Sequence, residues 1–170
     1  KEGSTLELTG LEPSSSQGDA KVIDFFESLG VRSRFTPQGI VIRKSGSPLP
    51  KLLAINLLSH PDLAQPIAVT CAALGVDLKL TGLQTLTIKE SNRLEALKSE
   101  LEKFEIDSEI TDSSISIKAQ KIKAPTKAIS TFNDHRMAMS FAVLSGLFPL
   151  EILDPDVVEK SYPSFWEDLI

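Results

Sequence analysis

One cysteine, Cys71, occurs in 170 residues, so an intrachain disulfide is excluded. Cys71 lies within the apolar run 67–74 and reads as a core thiol, not a nucleophile. The two histidines, His60 and His135, are far apart, and no Cys/His spacing suggests a metal site. No glycine-rich loop cradles a nucleotide phosphate, so neither metal nor cofactor is expected. No apolar run approaches the length of a membrane span, and no secretory signal opens the chain. A cytoplasmic protein without a membrane partner is expected. A net charge of −5 argues against nucleic acid as a partner. The chain lacks an initiating methionine and enters a strand-like run almost at once. We therefore expect a fragment of a longer protein, behaving as a monomer.

What is present fits an ordinary globular chain: 41% hydrophobic and 24% charged residues. The length suits a single domain, 1–170, with a sizeable core. The most informative stretch is Asn133-Asp134-His135-Arg136-Met137-Ala138-Met139. Polar residues there run directly into a helix, expected over Met137–Leu147, that is apolar nearly all round and so should be buried. Polar groups at the mouth of a buried helix either cap it or line a cleft where an anion docks.

A second cluster, Lys89-Glu90-Ser91-Asn92-Arg93, opens a helix expected to run to about Phe104. Leu94, Leu97, Leu101 and Phe104 share one helical face. Helical projection puts Glu90 on that inward stripe, with Arg93 one turn along. Two readings stay open for Glu90. Thr87-x-x-Glu90 fits a capping box, and a carboxylate on a core stripe also fits a reacting group.

The chain repeats itself. Thr5-Leu6-Glu7-Leu8-Thr9-Gly10-Leu11 returns 72 residues later as Asp77-Leu78-Lys79-Leu80-Thr81-Gly82-Leu83. Leu150–Asp154 occupies the same phase once more, and each reads as a strand. Pro61-Asp62 and Asn133-Asp134 head equivalent apolar helices. One unit is strand, buried helix, strand, amphipathic helix and two paired strands, complete over about 51–118, with partial copies on either side. The implied fold is α/β, with helices inside and sheets outside. The lysines at 118, 121, 123 and 127 read as a solvated edge.

Three stretches together carry a family resemblance: Lys-Glu-Ser-Asn-Arg-Leu at 89–94, Asn-Asp-His-Arg-Met-Ala-Met at 133–139, and Asp154-Pro155 leading to Lys160. Gln17-Gly18-Asp19 and Pro61-Asp62 match as well. The pattern resembles the C-terminal portion of EPSP synthase, a two-domain enolpyruvyl transferase whose domains each hold three such units with helices inside. The resemblance implies transfer of enolpyruvyl from phosphoenolpyruvate to the 5-hydroxyl of shikimate 3-phosphate, releasing phosphate. It implies Asp62 as proton acceptor and Glu90 as acid/base at the enolpyruvyl carbon. It places Lys89 on the shikimate phosphate side, assigns phosphoenolpyruvate to Arg93, Arg136 and Lys160, and sets His135 beside the site. That chemistry needs an acid for the methylene carbon and a base for the hydroxyl, and planar arginine forks suit a doubly anionic substrate. For Asp134 capping and orientation are expected.

Two departures are visible. Asn92 stands where the family often has aspartate. The family's first domain, which supplies the other half of the ligand contacts, is absent and is an implied partner. Two alternatives remain open: a UDP-amino-sugar enolpyruvyl transferase of the same fold, and a non-catalytic repeat domain whose charged helix ends are only caps.

Overall fold

The computed structural model describes residues 3–89 and 91–169. Its contacts divide the chain into two compact units, Lys1–Leu53 and Ala54–Ile170.

In the first unit, β1 (Thr5–Thr9), β2 (Val31–Thr36) and β3 (Gly39–Lys44) form an antiparallel sheet in the order β1-β3-β2. The short helix α1 (Val22–Glu27) precedes β2. Pairing sets Leu6 opposite Ile42, and Leu8 and Phe35 opposite Ile40. With a side-chain period of two, these residues share one apolar face.

A second sheet runs β4-β5-β7-β6, from β4 (Leu52–Asn56), which spans the boundary between the units, β5 (Asp77–Thr81), β6 (Ser108–Thr111) and β7 (Ser114–Ile117). Strand register recurs between the sheets. Thr9 pairs with Gly39 and Leu6 with Ile42, while Thr81 pairs with Ser114 and Leu78 with Ile117. The offsets are 72 on one strand and 75 on the other.

Three helices fill the core of the second unit: α2 (Ala64–Leu74), α3 (Arg93–Glu102) and α4 (His135–Ala142). Helix α2 buries seven of its eleven residues, including Ile67, Ala68, Val69 and Cys71. Pro66 is tolerated because it falls in the first turn, where its missing N–H has no helical partner. Gly75 ends the helix in the left-handed region, its N–H and that of Val76 capping the Ala72 and Cys71 carbonyls. Burial pushes the Cys71 thiol up to about 12. Phe104, at the end of the α3 stripe, stacks on Phe141 of α4 at 5.8 Å. After α4, the turn Pro155–Val158 and α5 (Phe165–Asp168) pack Val158 and Phe165 against Ala138 and Ala142.

Two expectations fail. Leu150–Asp154 is not a strand: only Ile152 makes a bridge, parallel to Ile129. Alternation gave it a strand-like pattern, but no neighbouring strand completes a ladder. The helix expected to reach Leu147 ends at Ala142 and tightens into a 3-10 turn over Val143–Gly146. The shorter period carries Val143 and Leu147 off the buried stripe, and both are exposed.

Gly10 and Gly82 are repeat equivalents with φ of +76° and +78°. An added Cβ at Gly10 meets nothing within 4 Å, whereas at Gly82 it lies 2.5 Å from both Asn56 Oδ1 and the Leu58 nitrogen. Gly10→Ala should therefore cost only the left-handed penalty, about 1–2 kcal/mol. Gly82→Ala should cost about 3 kcal/mol or more. Urea unfolding followed on amide signals of each sheet measures both, and equal losses would show that the Gly82 contact relaxes freely.

Candidate active site

Three entrances to buried helices meet within the second unit. They are the 3-10 turn Pro61–Leu63 before α2, Lys89 and Asn92 before α3, and Thr131 and Asp134 before α4.

The N-cap positions of this turn and of α2 are His60 and Leu63, neither with a side-chain capping hydrogen bond, so Asp62 is not the cap residue of either. Its carboxylate faces cations instead. Arg93 Nη1 donates to Oδ1 at 2.7 Å, Lys89 Nζ lies 3.6 Å from Oδ1, and Arg136 Nη2 lies 3.5 Å from Oδ2. Arg136 Nη1 also donates to the Asp62 carbonyl at 3.2 Å.

Asp134 caps α4, accepting the Arg136 N–H at 2.9 Å. The same carboxylate takes the Arg93 fork, Nε at 2.5 Å and Nη2 at 3.3 Å. Asp134 has no exposed surface and Arg93 only 2%. A buried charge is tolerable when a fixed partner of opposite sign saturates it, and each of these provides that for the other. Sequence reasoning gave Asp134 the cap but missed this direct pairing. The available signal was an arginine next to the core leucines of α3, which demands a carboxylate.

The structure revises the reading of the α3 entrance. The helix starts at Arg93, and Asn92 caps it by accepting the Glu95 N–H at 3.3 Å. The hydroxyl of Thr87 donates to the Gln84 carbonyl inside the turn Gln84–Ile88, so Thr87 caps nothing at α3. Helical projection does not extend back to position 90, and Glu90 itself lies outside the described residues. Residues 93, 94, 97, 100, 101 and 104 form the buried stripe.

Two further expected site residues adjoin the network. Lys160 Nζ donates to the Asn133 carbonyl at 3.1 Å. His135 opens α4, with Nδ1 3.9 Å from Asp134 Oδ1 and without a hydrogen-bond partner among the described residues. Burial holds the His135 pKa below its ordinary value; Arg136, Lys160 and Arg93 push the same way, and Asp134 opposes them. Just upstream, Phe132 and Asn133 both have positive φ, 55° and 56°. For a bulky residue such as Phe132 this conformation is costly, about 1–2 kcal/mol, and it persists only where neighbours impose it.

Lys89, Arg93 and Arg136 thus face the Asp62 carboxylate, Arg93 also holds Asp134, and Lys160 reaches the Asn133 carbonyl, a gathering of cations in a chain of net charge −5. The roles divide by exposure. Asp62, at 29%, is within reach of a ligand, whereas Asp134 is not. Lys89, Arg136 and Lys160 present cations to solvent, while Arg93 turns inward to the two carboxylates. Such a surface suits a phosphate or carboxylate, with the accessible Asp62 carboxylate beside it for proton transfer. Among the described residues, no group of three or more His, Cys, Asp or Glu could hold a metal.

Residues 1–169 match the family model for EPSP synthase (3-phosphoshikimate 1-carboxyvinyltransferase). This chain belongs to the EPSP synthase family. A 3-phosphoshikimate 1-carboxyvinyltransferase of Bacteroides fragilis is 43% identical over 167 residues, covering 96% of this chain and 40% of the relative. One of Methanoculleus marisnigri is 33% identical, covering 98% of this chain and 39% of the relative. A solved EPSP synthase of Acinetobacter baumannii aligns with a TM-score of 0.75 at 27% identity, over 98% of this chain and 41% of that one. The chain therefore has the mixed α/β fold of EPSP synthases and spans about 40% of the length of its relatives.

Removing the arginine that neutralises Asp134 should be severe. Arg93→Met strands a buried carboxylate and should cost about 3–5 kcal/mol in urea unfolding. A loss under about 1 kcal/mol would mean that Asp134 is neutralised in another way. The His135 shift gives a pH dependence of defined sign. Its native pKa is lowered from 6.5, so just below that value the unfolded chain binds more protons. Stability from this group is present above 6.5 and is lost as pH falls toward the lowered native value. His135→Gln should therefore flatten the fall in urea midpoint between about pH 7 and pH 5. An unchanged slope would assign that fall to other groups.

Proposed function

We propose that this chain is the C-terminal portion, folding as one domain with repeated units, of a monomeric cytoplasmic enzyme. That enzyme transfers enolpyruvyl from phosphoenolpyruvate to the 5-hydroxyl of shikimate 3-phosphate and releases phosphate, a step of aromatic amino-acid biosynthesis. The observation carrying the reading is the cation cluster around one accessible carboxylate, Asp62, in a chain of this family. Asp62 accepts the hydroxyl proton, and Glu90 moves the proton at the enolpyruvyl methylene carbon. The C–O bond forms as that carbon is protonated, and the reverse transfer accompanies loss of phosphate. Lys89 meets the shikimate phosphate. Arg136 and Lys160 meet phosphoenolpyruvate, with His135 alongside. Arg93 joins them through its Asp62-facing Nη1, the rest of its fork being held by Asp134. The remaining ligand contacts come from the partner domain of the longer enzyme, whose closure completes the site. Among the described residues no helix is long and apolar enough to cross a membrane.

The 170-residue chain should show no synthase turnover alone and gain it when combined with the missing domain. In the complete enzyme, Asp62→Asn and Glu90→Gln should each lower kcat by about 10²–10⁴-fold with much smaller changes in substrate binding. Turnover by the chain alone would overturn the divided site. Near-normal kcat in both variants would overturn the carboxylate roles.

A further inference from the structure

Helix α3 holds one short segment at two places. At its first residue Arg93 grips Asp134. Seven residues on, two turns along the same side, Glu100 is fully buried, and its Oε2 accepts the Ser130 N–H at 3.0 Å. Lys103 Nζ lies 2.6 Å from that same oxygen and donates to the Ala128 carbonyl at 2.7 Å and the Ser130 hydroxyl at 3.4 Å. Between the grips stand Phe132 and Asn133, consecutive left-handed residues that are neither glycine. Ile129, next to the clamp, is also fixed by backbone hydrogen bonds to Glu151 and Leu153.

We propose that Glu100 and Lys103 are positioning residues for the anion site, acting through the segment Ala128–Asp134. They hold its upstream end, so that the left-handed pair delivers Asp134 to Arg93 and starts α4 with Arg136 facing Asp62. The proposal rests on the reading of this site as anion-binding. Stability alone does not call for a buried carboxylate paired with a half-buried lysine at this place. Apolar residues of similar volume usually serve as well, and the rest of the α3 stripe is leucine and phenylalanine apart from Arg93. A carboxylate and an ammonium add what leucine cannot, which is direction toward particular backbone atoms.

The test uses the 170-residue chain with Glu100→Leu, Glu100→Gln and Lys103→Met. Folding is checked by amide spectra and urea unfolding. Two readouts follow: the shift and solvent exchange of Arg93 Nε–H without ligand, and affinity for inorganic phosphate at low ionic strength. Glu100→Leu should fold, expose Arg93 Nε–H to exchange and weaken phosphate binding about tenfold. Glu100→Gln retains an acceptor for the Ser130 N–H and should restore phosphate affinity to within about twofold of wild type. If Glu100→Leu does not fold, Lys103→Met is judged by the same readouts. A folded variant that loses stability but keeps both the Arg93 signal and phosphate affinity overturns the proposal. If the unaltered chain binds no phosphate, the anion reading itself fails, and the Arg93 signal still decides whether Glu100 and Lys103 position it.

Discussion

The buried pairing of Arg93 with Asp134 is the constraint on which the candidate site depends. Neither charge is tolerable alone at that depth. Together they fix the start of α3 against the start of α4, and Arg93 Nη1 carries the link on to the turn ahead of α2. Three helix entrances from widely separated sequence positions are thereby registered by a single guanidinium. The planar fork matters because it has donors on two sides; a lysine could neutralise one carboxylate but not orient two.

The entrances themselves were legible in the sequence. Polar residues heading an apolar run must cap or bind, and Asp134 and Arg136 stand where that argument puts them. Strand positions were legible for β1 and β5 because alternation over five residues specifies a strand with one apolar face, covered in β5 and exposed in β1. It does not specify a neighbour, which is why Leu150–Asp154 has the pattern without the ladder. Thr87 does not cap α3, for a related reason. A spacing rule presumes that the helix has begun, and Lys89 and Asn92 are both extended.

What sequence could not supply was the division of labour among charges. Asp62 and Asp134 look alike on paper, each an acid ahead of a buried helix. In the fold one faces three cations at the rim and the other is sealed beneath them. That difference arises from contacts spanning 31 and 41 residues, which no local pattern encodes. It also separates a group that can meet a ligand from one that can only hold the scaffold.

The fully buried thiol of Cys71, in the last turn of α2, has a use of its own. A thiol that stays protonated up to about 12 and has no surface cannot be alkylated while α2 is packed. Its modification therefore times the opening of α2 from within. As the chain's sole cysteine, it supplies a clock with one hand, reading the helix behind Asp62 and no other part of the molecule.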